Sequence, residues 1–320
     1  MQAIQKLVAS AFARADRIIV EHLRSDVGLV EDIGRHIVNA GGKRLRPMVV
    51  LLSAGALGAI DERQVKLAAV IEFIHTATLL HDDVVDLSHL RRGRPTANAT
   101  WGNAPSVLVG DFLYTRAFQL MVALGDLSLL ALLADTTNAI AEGEVLQLAR
   151  IGDSSQSIDD YYQVIERKTA VLFGAAAKGS AILAGADRTT QDSLYRYACE
   201  LGTAFQIIDD VLDFSGDAQQ MGKNLGDDLA EGKFTLPVLH ALQHAAGDDS
   251  RRLRDIITTK DRGRTGELVD ILNTSGSLDY ARNQANLHAE RARQQLEQLP
   301  ANDFQAALER LARIAVERSH

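Results

Sequence analysis

Apolar positions recur at three- and four-residue steps along almost the whole chain. Ile4, Leu7, Val8, Phe12, Ile18, Ile19 and Leu23 predict an amphipathic helix over residues 2–24, and Leu29, Val30, Ile33, Ile37 and Val38 a second that stops at Gly41-Gly42. Pro47 fits the first turn of a third helix reaching about Gly58. Asp61 is placed to cap a long fourth helix that ends near Leu87. Between Leu67 and Leu80 that helix is nearly all apolar, so it is expected to be central and buried on most sides. Gly93, Pro95, Gly102 and Pro105 mark residues 88–105 as a loop. Helices follow over 106–124, 127–150, 158–184 and 190–214, the third opened by a Ser157/Asp160 capping box. A second loop, rich in Gly and Asp, spans 215–232; helices resume at Thr235 and continue with breaks near Gly247, 262–266, Gly276 and Pro300. Period-two alternation is rare and no Pro- or Ser-rich linker divides the chain. The expected fold class is all-α, a helical bundle forming a single domain over residues 1–320.

Composition narrows the possible partners. Of 320 residues 46% are apolar, enough for a large core, and the net charge of -8 argues against nucleic acid. The single cysteine, Cys199, excludes an internal disulfide and, in an apolar helical run, reads as an inert buried thiol. The N-terminus lacks a basic-then-apolar signal pattern, and no uninterrupted apolar run reaches the ~20 residues that span a bilayer. A cytoplasmic protein without a transmembrane segment is expected.

Two octads stand out: Leu79-Leu80-His81-Asp82-Asp83-Val84-Val85-Asp86 and Gln206-Ile207-Ile208-Asp209-Asp210-Val211-Leu212-Asp213. Each puts Asp-Asp-x-x-Asp at the end of an apolar helix. Residues four apart share a helix face about 6 Å apart, so Asp82 pairs with Asp86 and Asp209 with Asp213. One such motif arises by chance on acidic surface helices. Two in matching contexts, where unpaired carboxylates near a core are costly, point to a cation. Carboxylates are hard ligands suited to Mg²⁺, which usually arrives with substrate phosphates.

Cations follow the same logic. Arg91-Arg92-Gly93-Arg94 trails the first motif, and Gly42-Lys43-x-x-Arg46-Pro47 forms a second glycine-flanked basic patch. Guanidinium forks suit diphosphates. Lys168-Thr169 sits mid-helix in an apolar stretch, where a snorkelling lysine is the ordinary explanation. Gly222-Lys223-Asn224 and Gly232-Lys233 lie beside the second motif. His75 reads equally as a core histidine or as a phosphate donor, and His81-Asp82 lacks the further histidines of a phosphohydrolase metal site. No activated nucleophile, P-loop or dinucleotide fingerprint is present, so metal-assisted departure of a diphosphate is the expected chemistry.

In order and spacing, these segments resemble the trans-type polyprenyl diphosphate synthases, and the resemblance covers nearly the whole chain. It implies an all-helical bundle and a homodimer that condenses isopentenyl diphosphate with an allylic diphosphate, using about three Mg²⁺ ions. By position, Asp82, Asp86, Asp209 and Asp213 would hold metal, with Asp83 and Asp210 in support. Arg91, Lys168, Thr169, Gln206, Lys223 and Lys233 would serve the allylic substrate, and Lys43, Arg46, His75 and Arg92 isopentenyl diphosphate. Ala77 and Thr78 stand where short-chain members commonly carry a bulky aromatic, and Glu144 where many carry Gln, which favours a long product. The expected activity is synthesis of C40–C45 all-trans polyprenyl diphosphate from farnesyl diphosphate for quinone side chains, the product passing to membrane enzymes. A short-chain farnesyl or geranylgeranyl diphosphate synthase is the alternative. The C-terminal tail lacks a strongly basic ending, so the resemblance gives no support for a tail closing over the site.

Overall fold

The computed structural model describes residues 1–39, 41–58, 60–215, 229, 231–259 and 262–318. Its helices are α1 (Gln2–His22), α2 (Gly28–Asn39), α3 (Leu45–Ala56), α4 (Glu62–Val85), α5 (Ala97–Trp101), α6 (Asn103–Leu124), α7 (Leu127–Arg150), α8 (Ile158–Ile165), α9 (Val171–Leu183), α10 (Arg188–Ser215), α11 (Leu236–His244), α12 (Gly247–Thr259), α13 (Thr265–Thr274), α14 (Ser277–Gln294) and α15 (Asp303–Val316). The all-α class holds. One expectation needs correction: residues 88–105 are not plain loop. They contain a small antiparallel hairpin, β1 (Leu90–Arg91) with β2 (Arg94–Pro95), and then α5. Arg92 and Gly93 at the turn have φ 53° and 73°, two successive left-handed residues that match the twist of a tight hairpin. Strands of two residues are too short to show alternation.

The chain divides into two compact units. The first comprises Met1–Thr137, Leu172–Ala198 and Arg293–Leu311; the second Asn138–Val171, Cys199–Ala292 and Ala312–His320.

In the first unit α4 is the hub and packs against α1, α3 and α6. Its start is the expected capping box: the Asp61 carboxylate accepts from the Arg63 and Gln64 N–H groups, and Gln64 Oε1 accepts from the Asp61 N–H at 3.0 Å. Val65, Leu67, Ala68, Ala69, Val70, Ile71 and Ile74 are all 0% exposed. Each fully buried large side chain contributes roughly 1.5–3 kcal/mol, which fixes α4 as a rigid rod ending at the first aspartate motif. Among the described residues α6 is the one helix long and apolar enough, by length and composition, to cross a bilayer; 39% of that stretch is buried. Asp111 and Arg116 interrupt the run, so no uninterrupted apolar stretch of spanning length is present there. Its packing along α4 also accounts for such a composition.

In the second unit, Ile207, Val211 and Phe214 of α10 share a core with Tyr161, Leu236, Val238, Leu239, Leu253 and Leu268. Cys199 in α10 is half-buried rather than fully buried. The Ser157/Asp160 box opens α8 as expected, but the run to residue 184 is not uniform. A π-helical turn, Glu166–Ala170, carries Lys168 and Thr169 between α8 and α9. Such turns frequently mark functional sites, because the extra residue swings side chains off the regular helical face.

Candidate active site

In the first unit, α4 ends on the first motif. Asp86 is its C-cap and Leu87 follows with φ 53°. The Ser88 N–H donates to the Asp83 carbonyl at 3.0 Å and the Leu87 N–H to that of Val84 at 3.4 Å, a Schellman ending built without glycine. Asn98 Nδ2 also donates to the carbonyls of Asp83 (3.0 Å) and Ser88 (3.1 Å), so α5 pins the helix end. Asp82 and Asp86 stay half-buried, whereas Asp83 is 0% exposed. Arg91, delivered by β1, donates through Nε (2.9 Å) and Nη2 (2.7 Å) to Asp83 Oδ1. Asp83 Oδ2 is buried without a hydrogen bond among the described residues. Burial pushes the Asp83 carboxyl above its usual range, against the pull of Arg91.

Close by on the same unit lies a basic cluster. Arg46 Nη1 is 3.2 Å from His75 Nε2, and its guanidinium lies 4.5 Å above the Phe173 ring. Arginine can only donate, so His75 Nε2 accepts and the ring is neutral. Burial, then Arg46, Arg92 and Arg91, hold its pKa well below the usual value. A neutral imidazole is compatible with both readings of His75, as a core histidine and as a phosphate donor. Gly42 has φ 136°, which suits glycine, and a Cβ there would fall 2.4 Å from Arg92 Nη1 and push the guanidinium aside. Lys43 is exposed. Glu72, one helical turn before His75, lies with Oε1 3.8 Å from Arg44 Nε. Burial raises its pKa while Arg44, Arg46 and Arg92 lower it. Ala77 is buried and Thr78 half-buried, its hydroxyl donating to the His75 carbonyl at 2.8 Å. His81 turns away, with Nε2 3.2 Å from the Val107 carbonyl and 3.3 Å from Asp111. The phosphohydrolase alternative therefore has no support in its placement. Among the described residues, the non-glycine positions with positive φ are Arg44, Leu87 and Arg92, and all three border this region. Each costs about 1–2 kcal/mol, strain that a structure retains where function fixes the backbone.

In the second unit the π-helical turn aims Lys168 at α7, where Nζ donates to Glu144 Oε2 (2.7 Å) and Gln147 Oε1 (2.9 Å). A Cβ on Gly143 would sit 2.9 Å from the Lys168 N, so glycine permits this close crossing. Thr169, buried, donates to Gln206 Oε1 at 3.0 Å; Gln206 Nε2 donates to Asp210 Oδ1 at 2.9 Å; Tyr161 Oη donates to Asp210 Oδ2 at 2.6 Å. Asp210 and Asp213 are buried, and Asp209 is the more open carboxylate at 38% side-chain exposure. Arg318 Nη2 donates to Asp209 Oδ1 at 2.7 Å and stacks 4.3 Å above Phe205. Lys233 pairs with Glu231 at 2.9 Å. Lys223, with Gly222 and Asn224, lies outside the described residues.

Sequence reasoning missed Glu72, Gln147, Tyr161 and Arg318. Glu72 was detectable as the one acidic residue inside the apolar span of α4, whereas nothing local distinguishes Tyr161 or Arg318.

Among the described residues no three His, Cys, Asp or Glu side chains converge into a ready-made metal cage. Mg²⁺ does not require one, since it keeps waters and binds one or two carboxylates together with substrate phosphates. The half-buried, all-oxygen carboxylates Asp82, Asp86 and Asp209 fit that mode.

The polyprenyl synthetase family matches residues 27–274. The chain is 48% identical over 319 residues to the octaprenyl diphosphate synthase of Escherichia coli (strain K12), covering 99% of each chain. A polyprenyl synthase from Caulobacter crescentus CB15, crystallised with calcium and isoprenyl diphosphate, matches with a TM-score of 0.96 at 43% identity, covering 99% of this chain and 97% of that one. A decaprenyl diphosphate synthase from Rhodobacter capsulatus matches at 0.93 with 40% identity, covering 100% and 99%. An all-α enzyme that transfers prenyl groups is the class these findings define. The chain belongs to the polyprenyl synthetase family, whose members use Mg²⁺.

Proposed function

We propose that the chain, acting as one catalytic domain over residues 1–320, elongates an allylic diphosphate, farnesyl diphosphate by preference, with isopentenyl diphosphate to an all-trans product of about C40–C45 for quinone side chains. The observation that carries this reading is end-to-end similarity to an octaprenyl diphosphate synthase. The small side chains Ala77 and Thr78 support a long product, because a growing apolar chain needs room beneath the first motif. Asp82, Asp86, Asp209 and Asp213 would hold Mg²⁺, about three ions in all, which when bound neutralises charge on the departing diphosphate. Arg91, Lys168, Lys223 and Lys233 would anchor the allylic diphosphate, with Thr169 and Gln206 near its reacting end. Lys43, Arg46 and Arg92 would grip isopentenyl diphosphate, and the neutral His75 would donate to it through Nδ1. Asp83 and Asp210 would act through Arg91 and Gln206, which they hold.

The enzyme would work as a homodimer in the cytoplasm and pass its product to membrane enzymes. Leu108, Val122 and Leu127, exposed in the first unit, are the kind of surface a second copy would cover. The test is product length from purified protein with Mg²⁺, farnesyl diphosphate and labelled isopentenyl diphosphate. Eight or nine isoprene units are expected, and Ala77→Phe or Thr78→Phe should shorten the product. A stop at three or four units in the parent would favour the short-chain reading, and no elongation would reject the function.

A further inference from the structure

We infer that Arg318, near the end of the chain, is a further diphosphate-binding residue at the second aspartate motif, a role that rests on the functional reading above. Arg318 follows α15 and its side chain is 14% exposed. It is held from two sides by one face of α10: Nη2 donates to Asp209, and the ring of Phe205, one turn earlier, lies under the guanidinium. Nε and Nη1 are buried and have no hydrogen-bond partner among the described residues. A guanidinium is permanently charged and carries five N–H donors, so one carboxylate contact leaves it under-bonded. Buried donors without acceptors are unfavourable, and native structures tolerate them mainly where something else supplies the acceptor.

The missing acceptor has to be small, rich in oxygen and anionic, and a phosphate matches the guanidinium fork. The two described lysines assigned to the same ligand differ in this respect. Lys168 already donates to Glu144 and Gln147, and Lys233 is paired with Glu231. Among the described cations assigned to this region, Arg318 is thus the one with buried N–H groups that lack an acceptor, and it stands on the aspartate expected to face the diphosphate.

The probe is inorganic diphosphate with Mg²⁺, titrated calorimetrically into the full-length protein and into Arg318→Gln, Arg318→Lys and Asp209→Ala variants whose thermal unfolding is checked first. Arg318→Gln should bind diphosphate about tenfold more weakly, a loss of about 1.4 kcal/mol, and Arg318→Lys should recover part of it. Mn²⁺ alone, titrated without diphosphate, separates this role from simple occupancy of Asp209. If Arg318→Gln binds Mn²⁺ more tightly and diphosphate as the parent does, Arg318 only masks Asp209 and the inference is overturned. That result would leave the functional reading intact, provided Asp209→Ala loses diphosphate. If the parent itself binds no magnesium diphosphate, the functional reading fails and the inference fails with it.

Discussion

The two aspartate motifs share a sequence pattern but are held in opposite ways. The first is fixed almost entirely by its own neighbourhood. Helix α4 stops on a Schellman turn within the motif, Arg91 arrives from a hairpin eight residues beyond Asp83, and Asn98 ties down the helix end. The second lies within α10, which continues to Ser215, and its supports come from far along the chain. Tyr161 holds Asp210, Thr169 holds Gln206, and Arg318 holds Asp209. In each motif the central aspartate is a buried anchor and the leading one stays more open. The pattern Asp-Asp-x-x-Asp therefore encodes a division of labour, one carboxylate for ligand and the next for structure, whichever part of the chain supplies the support.

If that division is right, the leading aspartates dominate turnover and the central ones dominate stability. Asp82→Ala and Asp209→Ala should each lower turnover by roughly 10²–10³-fold or more while leaving thermal unfolding near that of the parent. Near-normal turnover in steady-state assays would reject the metal assignment. The central positions should differ from each other. Asp83→Asn leaves Arg91 without its buried carboxylate and should destabilise by about 3–5 kcal/mol. Asp210→Asn keeps an acceptor for either Tyr161 or Gln206, which both donate to the carboxylate, and should destabilise by only about 1–3 kcal/mol. Urea unfolding of both variants measures the contrast, and equal losses would remove it.

Next in size is a pH effect confined to the first region. The folded state holds His75 neutral with its pKa well below 6.5, whereas the unfolded chain takes up a proton near 6.5. Stability linked to His75 is therefore present above 6.5 and lost as pH falls below it. Glu72, whose pKa is raised above 4.5, acts with the opposite sign, since its burial penalty is relieved as the pH falls through its folded value. Comparing the parent with His75→Gln in urea at pH 7.5, 6.5 and 5.5 isolates the histidine, and the variant should show the shallower decline. The smallest effect is a gain. Leu87 is 70% exposed and holds a left-handed backbone that glycine adopts freely, so Leu87→Gly should stabilise by up to about 1 kcal/mol.

Much of this site could be read from the chain because helical spacing is local physics. The all-α class, the capping boxes at Asp61 and Ser157, and the shared face of Asp82 and Asp86 follow from periodicity and side-chain chemistry within a few residues. The hairpin at Arg92-Gly93 escaped because two-residue strands carry no pattern, and the π-helical turn at Lys168 because a one-residue insertion leaves the hydrophobic period almost unchanged. Glu72 was visible as a charge in an apolar helix, but what it faces was not.

By itself, the sequence determined which residue types sit at which helical positions, and so the two carboxylate faces, the basic segments and the family. Tertiary structure alone decided which carboxylates are buried as anchors, that His75 is neutral, and that Arg318 stands on Asp209. Those outcomes depend on burial and on which elements meet, from Arg91 on Asp83 to Arg318 on Asp209 more than a hundred residues away, and a charge's energy is set by its surroundings in space, not by its neighbours in sequence.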